Sequence, residues 1–341
     1  IYLKNFSKNK KFKALVTAGS FKTSNYIEML QALAPELQNS EPNRLNSSKL
    51  PNLKLIISIP DEKTNGMINF SDLEQLSKPR DTATLLEIEA KLDPDESINI
   101  QFTSGTTGLP KGATLSHFNI VNNAYFVGKA MKFSQEDRLC IPVPLYHCFG
   151  MVMGVLTCAT HGATMVFPSE GFEPSTTLRA ISDERCTALH GVPTMFVANL
   201  EHADFDKTDF STLRTGIMAG APCPVEVMKK VQQKMHMPEV TIAYGMTETS
   251  PVSFQSATDD PIEKRVSTVG KVMPHVQVKI IDGEGKVVRR GEQGELCTRG
   301  YSVMTGYWGA QEKTDAVLKG GWMYTGDLAT IDKEGYANIV G

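Results

Sequence analysis

The sequence predicts an α/β protein with two doubly wound α/β subdomains followed by a small β-rich one. Three observations predict it. Strand-like and helical runs alternate to about residue 258, as in a parallel sheet covered by helices. After about residue 260 the pattern changes to short runs that alternate apolar and polar residues around turns. Between two apolar stretches lies Thr103-Ser-Gly-Thr-Thr-Gly-Leu-Pro-Lys-Gly112, a glycine- and hydroxyl-rich loop that follows a short strand. The expected boundaries are 1–135, 136–258 and 259–341.

The elements follow in order. Phe12 to Thr17 and Leu53 to Ile59 read as strands, with a helix from Asn25 to Leu33 between them. Residues 60 to 95 are mixed and polar, with turn signals at Pro60-Asp61 and Asp93-Pro94-Asp95. Ile98 to Phe102 is the strand entering the loop. Ser116 is placed to cap a helix reaching about Ala130, with Phe118, Val121, Ala124 and Val127 on or near one face.

The alternation then repeats. Leu139 to Val143 is a strand, Ser175 opens a helix to about Glu184, and Thr187 to His190 is a strand. Pro193 and Pro224 suit helix starts, the second running from Val225 to Met235. Val240 to Ala243 is a strand. In the last part Val276, Val278 and Ile280 alternate with polar residues, and Asp282-Gly-Glu-Gly285 is a turn. Lys286 to Val288 is expected to return as the partner strand, with further strands at Gly294 to Thr298, Ala329 to Asp332 and Tyr336 to Val340.

Bulk properties exclude several classes. The net charge of −3 gives no reason to expect nucleic acid. The 6 cysteines are scattered without a C-x-x-C pair, against a disulfide framework or zinc site and in favour of reduced, intracellular thiols. Phe149 to Phe167 is apolar, but His161-Gly162 breaks it, so a buried helix and a strand are expected rather than a transmembrane segment. The start at Ile1 and an apolar run reaching the last residue suggest a piece of a longer protein, expected to be truncated at both ends.

The loop has the chemistry of a polyphosphate cradle. Glycines let backbone approach a ligand, hydroxyls and bare N–H groups donate, and Lys111 adds a positive charge. A Walker loop needs a glycine, four residues and then Gly-Lys-Ser/Thr. Here Pro110 precedes Lys111 and Gly112 follows it, so that class fits poorly. A mobile surface loop is the plain alternative. Two further motifs stand downstream: Tyr244-Gly-Met-Thr-Glu248 directly after a strand, and Thr325-Gly-Asp327 after Gly321-Trp-Met-Tyr324. Each alone could be an ordinary turn.

Together these motifs resemble the adenylate-forming ligases, which include acyl-CoA synthetases, luciferases and peptide-synthetase adenylation domains. The resemblance runs from about residue 12 to the end. It implies the large N-terminal domain of such an enzyme, with a C-terminal lid domain, its lysine and a further arginine expected beyond Gly341. It also implies roles for individual residues. Thr103, Ser104, Gly105, Thr106, Thr107, Gly108, Leu109, Pro110 and Lys111 would cradle the β/γ-phosphates of ATP. Tyr244 would lie against adenine, Gly245 would belong to the same ATP/AMP site, Thr247 would bond the α-phosphate, and Glu248 would hold Mg²⁺. Asp327 would accept from the ribose hydroxyls. Gly220-Ala221-Pro222 would line the nucleotide pocket, while His147, in Pro144-Leu-Tyr-His-Cys-Phe-Gly150, would line the acyl and coenzyme A pocket with Gly191 and Thr194. A lone histidine is otherwise a packing residue, so His147 is not assigned as a base. Lys111, Thr247 and Glu248 would be catalytic.

The segments Ile98 to Asn123, Pro193 to Val197 and Arg299 to Trp308 look most like the mitochondrial medium-chain acyl-CoA synthetases. The implied function is ATP-dependent activation of a fatty acid to acyl-AMP, then transfer to coenzyme A, in the mitochondrial matrix. Another acid or acceptor, as in aromatic acid ligases and luciferases, is an open alternative. So is a non-catalytic module that binds nucleotide or acyl-adenylate. Acyl chain length and oligomeric state are left open. Without the lid, the chain by itself is expected to be impaired.

Overall fold

The computed structural model describes residues 12–103 and 110–341. The chain divides into two compact units, one ending at Leu92 and the other spanning Asp93–Gly341. In the first, strands Ala14–Thr17, Leu55–Ser58 and Ile68–Asn69 form a three-stranded parallel sheet. The helix Tyr26–Leu33, capped by the Asn25 side chain, buries Leu30 against Leu37, Leu45 and Ile56. A helix at Pro79–Glu89 occupies the stretch expected to be irregular. Its apolar residues Leu85, Leu86 and Ile88 are exposed, so no buried stripe marked it in the sequence.

The second unit is built on a seven-stranded sheet. Its order is Lys271–Val272, Val252–Gln255, Glu239–Gly245, Thr215–Ala219, Ala188–Gly191, Arg138–Cys140 and Thr164–Val166. The last five run parallel to one another, and Val252–Gln255 pairs antiparallel with both of its neighbours, Glu239–Gly245 and Lys271–Val272. Successive strand residues point to opposite faces, and two cores result. Leu139, Ile217 and Ala243 face one side with Phe149 and Met153, under the helix His117–Ala130. Cys140, Met218 and Ile242 face the other, beneath helices Pro174–Asp183, Pro193–Leu200 and Val225–Lys234. Pro174 and Pro193 each sit in the first turn of their helix, where the missing N–H costs nothing, and Pro224 caps the third.

The apolar run Phe149–Leu156 is a π-helix that continues into the helix Thr157–His161. Gly162 ends it in a left-handed conformation before the strand Thr164–Val166. Among the described residues no helix is long and apolar enough to cross a membrane.

Two smaller sheets complete the unit. Strands Ser97–Thr103 and Lys111–Ser116 form an antiparallel hairpin, joined at its far edge by Gly306–Tyr307. The strand Lys111–Ser116 was not foreseen, because Lys, Thr and Ser hide its buried character. The β-rich part is an antiparallel sheet of Val276–Ile281, Gly294–Gly300 and Trp322–Ile331, with Leu318–Lys319 and Ala337–Ile339 both pairing with Trp322–Ile331. Two local expectations are corrected here. The long ladder of Val276–Ile281 is with Gly294–Gly300, while residues after the turn return for one short stretch: Ile281 bridges Val287, Asp282 N donates to Lys286 O at 2.9 Å and Val288 N donates to Ile280 O at 3.0 Å. On the helix His117–Ala130 the buried face carries Ile120, Asn123, Ala124 and Val127, whereas Phe118 and Val121 are exposed.

Candidate active site

Parallel strands present their carboxyl ends together, and ligands of open α/β sheets bind outside those ends. Gly191, Gly220 and Tyr244 follow or end three neighbouring parallel strands, in register through Gly191–Met218 and Ala219–Ala243. His147 follows the next strand, Arg138–Cys140, which pairs with Ala188–Gly191. The residues expected in the nucleotide and acyl pockets therefore share one edge of the sheet. Gly220, Ala221, Pro222 and Thr194 are exposed there, and Gly191 is buried against Phe196.

The two described ends of the cradle belong to the hairpin strands Ser97–Thr103 and Lys111–Ser116. Thr103 and Lys111 face each other as the last ladder pair. Ser104, Gly105, Thr106, Thr107, Gly108 and Leu109 lie outside the described residues; Pro110 is within them and half-buried. Thr103 Oγ1 is buried and makes no hydrogen bond among the described residues. A hydroxyl so placed is suited to donate to a ligand oxygen.

The segment Tyr244–Thr249 carries three connections. Its shape is set locally. A side chain at Gly245 would place Cβ 1.8 Å from the Pro251 carbonyl oxygen, so only glycine fits. Met246 N donates to Pro251 O at 3.0 Å, and Thr249 Oγ1 donates to the same carbonyl at 2.7 Å. At one end, the Tyr244 hydroxyl donates to Asp327 Oδ2. Burial and the Asp327 carboxylate push the Tyr244 phenol well above its ordinary range, so it stays a donor. Asp327 N in turn donates to Thr325 Oγ1 at 3.1 Å, which fixes the Thr-Gly-Asp turn.

In the middle, Thr247 Oγ1 lies 3.8 Å from the Cys148 thiol. Cys148 Sγ is 3.7 Å from His147 Nδ1, and that nitrogen accepts from Phe149 N at 3.0 Å. Desolvation lowers the His147 pKa and pushes the Cys148 thiol up to about 11. Neither is set up as a charged catalyst.

At the far end, Glu248 is 4% exposed and accepts from the Tyr307 hydroxyl at 2.7 Å. Lys111 Nζ donates to the same Tyr307 oxygen at 3.0 Å and lies 4.6 Å from the ring centre. Lysine and carboxylate, 137 positions apart in sequence, are thus joined through one phenol. Tyr307 carried no assignment in the sequence. The only local signal was a glycine–aromatic pair, Gly306-Tyr307, inside a segment otherwise noted for its resemblance.

Buried asparagines hold these pieces together. The Asn123 side chain donates to Val252 O at 2.9 Å and accepts from Val252 N at 3.0 Å. Asn119 completes the Ser116 capping box and donates to the carbonyls of Tyr301 and Val303. One helix therefore ties the cradle hairpin, the strand after Glu248 and the segment leading to Tyr307. For a metal, Glu248 is the carboxylate on hand; among the described residues no group of three His, Cys, Asp or Glu side chains could enclose an ion. One carboxylate suits Mg²⁺ held mainly by phosphate and water oxygens, and does not suit an all-protein cage.

The chain is similar to known proteins over most of its length. Residues 7–308 match the AMP-binding enzyme family. YngI of Bacillus subtilis is 49% identical over 96% of this chain and 60% of its own length. The zebrafish mitochondrial medium-chain acyl-CoA ligase ACSF2 is 45% identical over 96% of this chain and 55% of its own. The chain thus spans little more than half of the curated relatives it matches. Among solved structures, the anthranilate CoA ligase AuaEII with anthranoyl-AMP superposes with a TM-score of 0.82 at 22% identity, covering 99% of this chain and 60% of that one. The amide bond synthetase McbA from Marinactinospora thermotolerans gives a TM-score of 0.74 at 27% identity over 96% and 60%. The chain belongs to the AMP-binding enzyme family.

Proposed function

We propose that the full-length protein is an AMP-forming acid–thiol ligase that activates a fatty acid with ATP and transfers it to coenzyme A. A carboxylate repels nucleophiles, so it must first gain a leaving group. Its oxygen attacks the α-phosphorus of ATP, the bond to the β-phosphate oxygen breaks, and pyrophosphate departs with the electron pair. The thiol of coenzyme A then attacks the acyl carbon and AMP leaves.

The first step brings anions together, so positioning and charge neutralisation are its main demands. The observation that carries the reading is the Tyr244–Thr249 segment, which reaches Asp327 at one end and Lys111, through Tyr307, at the other. Lys111 and Thr103 would hold the departing pyrophosphate, with the rest of the cradle. Thr247 would bond the α-phosphate, and Tyr244 and Gly245 would flank adenine, with Gly220, Ala221 and Pro222 beside it. Asp327 would take the ribose hydroxyls. Mg²⁺ on Glu248, when bound, supplies charge neutralisation at the phosphates. His147, Gly191 and Thr194 would line the acyl and thiol path.

The names of the zebrafish relative and its human counterpart, a mitochondrial medium-chain acyl-CoA ligase 42% identical to this chain, support a medium-chain acid and mitochondrial placement. A second reading changes the acid or the acceptor. The 27% identity to an amide bond synthetase favours it, since that name describes an acceptor other than a thiol. A panel of fatty and aromatic acids on the full-length protein separates the readings, with pyrophosphate release and acyl-CoA formation measured independently. Acyl-CoA from acids of medium chain length is expected. Pyrophosphate release without acyl-CoA, or with aromatic acids alone, would favour the second reading.

A further inference from the structure

Tyr307 occupies a position that the proposed chemistry uses but does not assign. Lysine can only donate, so the Tyr307 oxygen must accept from Lys111 and give its single proton to Glu248 Oε1. The direction of this chain is therefore fixed by the chemistry of its two ends.

The phenol is held from several sides. Tyr307 pairs with Ala113 across the hairpin edge, and Trp308 N donates to Gly112 O at 2.7 Å, so its backbone is stitched to the residues that follow Lys111. Tyr307 N donates to Thr314 Oγ1 at 2.9 Å. Gly306 before it sits at φ +149°, where a Cβ would meet that threonine at 2.9 Å. Met304 N donates to Glu248 O at 2.9 Å, which ties the same stretch to the backbone of the carboxylate. The ring is 5% exposed among Ala113, Leu115 and Ile120.

We propose that Tyr307 is a positioning residue that sets Lys111 and Glu248 relative to each other. Its hydroxyl fixes one carboxylate oxygen of Glu248 and leaves the other for the cation, and without nucleotide it holds the Lys111 ammonium beside the carboxylate. When a triphosphate enters, the lysine exchanges the phenol for phosphate oxygens while Glu248 keeps its bond to Tyr307. The inference rests on the ATP-site reading above and adds to it a residue that touches neither substrate nor metal.

Tyr307→Phe removes the hydroxyl and keeps the ring, so the apolar packing around it is preserved. Two measurements on the full-length protein test it. The first needs neither metal nor substrate: trace acetylation of lysines, followed by mass spectrometry of the Lys111 peptide. The Lys111 amine, released from the phenol, should react at least threefold faster in Tyr307→Phe, with the other lysines unchanged. The second is equilibrium binding of ATP across a Mg²⁺ titration, with no acid present. The Mg²⁺ concentration for half-maximal binding should rise five- to tenfold. Tyr307→Leu, which also loses the ring, serves as the packing control and should lower the melting temperature further than Tyr307→Phe.

Unchanged Lys111 reactivity together with an unchanged Mg²⁺ midpoint in Tyr307→Phe would overturn the proposal and leave the ATP-site reading standing. A wild-type protein that binds no ATP at any Mg²⁺ concentration would overturn both. A shifted midpoint in a protein that activates no fatty acid would support the role of Tyr307 and sink only the acid substrate.

Discussion

Asn123 closes both backbone groups of Val252, 129 residues away, with one side-chain amide. Asn123 is fully buried, and Val252 is 1% exposed. Replacing it by leucine would keep the volume but leave a buried N–H and C=O unpaired, at a cost of about 2–4 kcal/mol. Urea unfolding of Asn123→Leu should show that loss. Asn122→Ala, whose exposed amide only reaches back to Phe118 O, should stay within about 0.5 kcal/mol of the parent.

Tyr244 and Asp327 should act as a unit on the nucleoside. Loss of a bond to a charged group is worth about 1.5–3 kcal/mol, so Asp327→Ala should weaken AMP binding at least about tenfold. Tyr244→Phe frees Asp327 from its fixed orientation and should cost less. Because the two are in direct contact, the double variant should fall short of the sum. Calorimetric titration with AMP checks all three, and unchanged affinity in Asp327→Ala would remove it from the ribose role.

Glu248→Gln retains an acceptor for the Tyr307 hydroxyl and removes the charge. Activation of the acid should fall about 100-fold, with a change in unfolding free energy below about 1 kcal/mol. Pyrophosphate release beside urea unfolding of the same preparations separates a loss of chemistry from a loss of fold.

His190 should make stability depend on pH. It is completely buried, its Nδ1 accepts from Ile217 N at 3.2 Å and its Nε2 donates to Met153 O at 3.0 Å. Those partners hold the ring neutral, and desolvation takes its pKa from 6.5 to about 4. Below pH 6.5 the unfolded chain takes up a proton that the folded chain refuses, so unfolding is favoured as pH falls. Stability is full above about pH 7 and is lost progressively down to about pH 4. Between pH 7 and 5 the expected loss is about 2 kcal/mol from this residue. Urea unfolding at the two pH values measures it, and the slope should flatten in His190→Gln.

Much of the site could be read from the sequence where its chemistry is local. The proline helix starts, the Ser116 cap and the loop around Lys111 each depend on a few neighbouring residues. What escaped depends on partners far along the chain. Asn119 and Asn123 carry no assignment in the sequence, while Phe118 and Val121 fall on or near the face of Ala124 and Val127, because apolar periodicity ranks side chains without knowing what lies opposite. The asparagines are buried because Tyr301, Val303 and Val252 supply backbone groups that need them. Lys286 to Val288 does return after its turn onto Ile280 to Asp282, but the longer ladder comes from Gly294–Gly300, which lies beyond what the turn signals. Tyr307 was passed over since its partners lie 196 and 59 positions away.

The central claim is that Lys111, Thr247, Glu248 and Asp327 serve one ATP site at which an acid is activated. Exchange of labelled pyrophosphate into ATP, measured on the full-length protein with and without a series of fatty acids, tests it most directly. Exchange that appears only with acid, and collapses in Glu248→Gln, is the predicted result. Absence of exchange with every acid, in a folded full-length protein supplied with ATP and Mg²⁺, would contradict it.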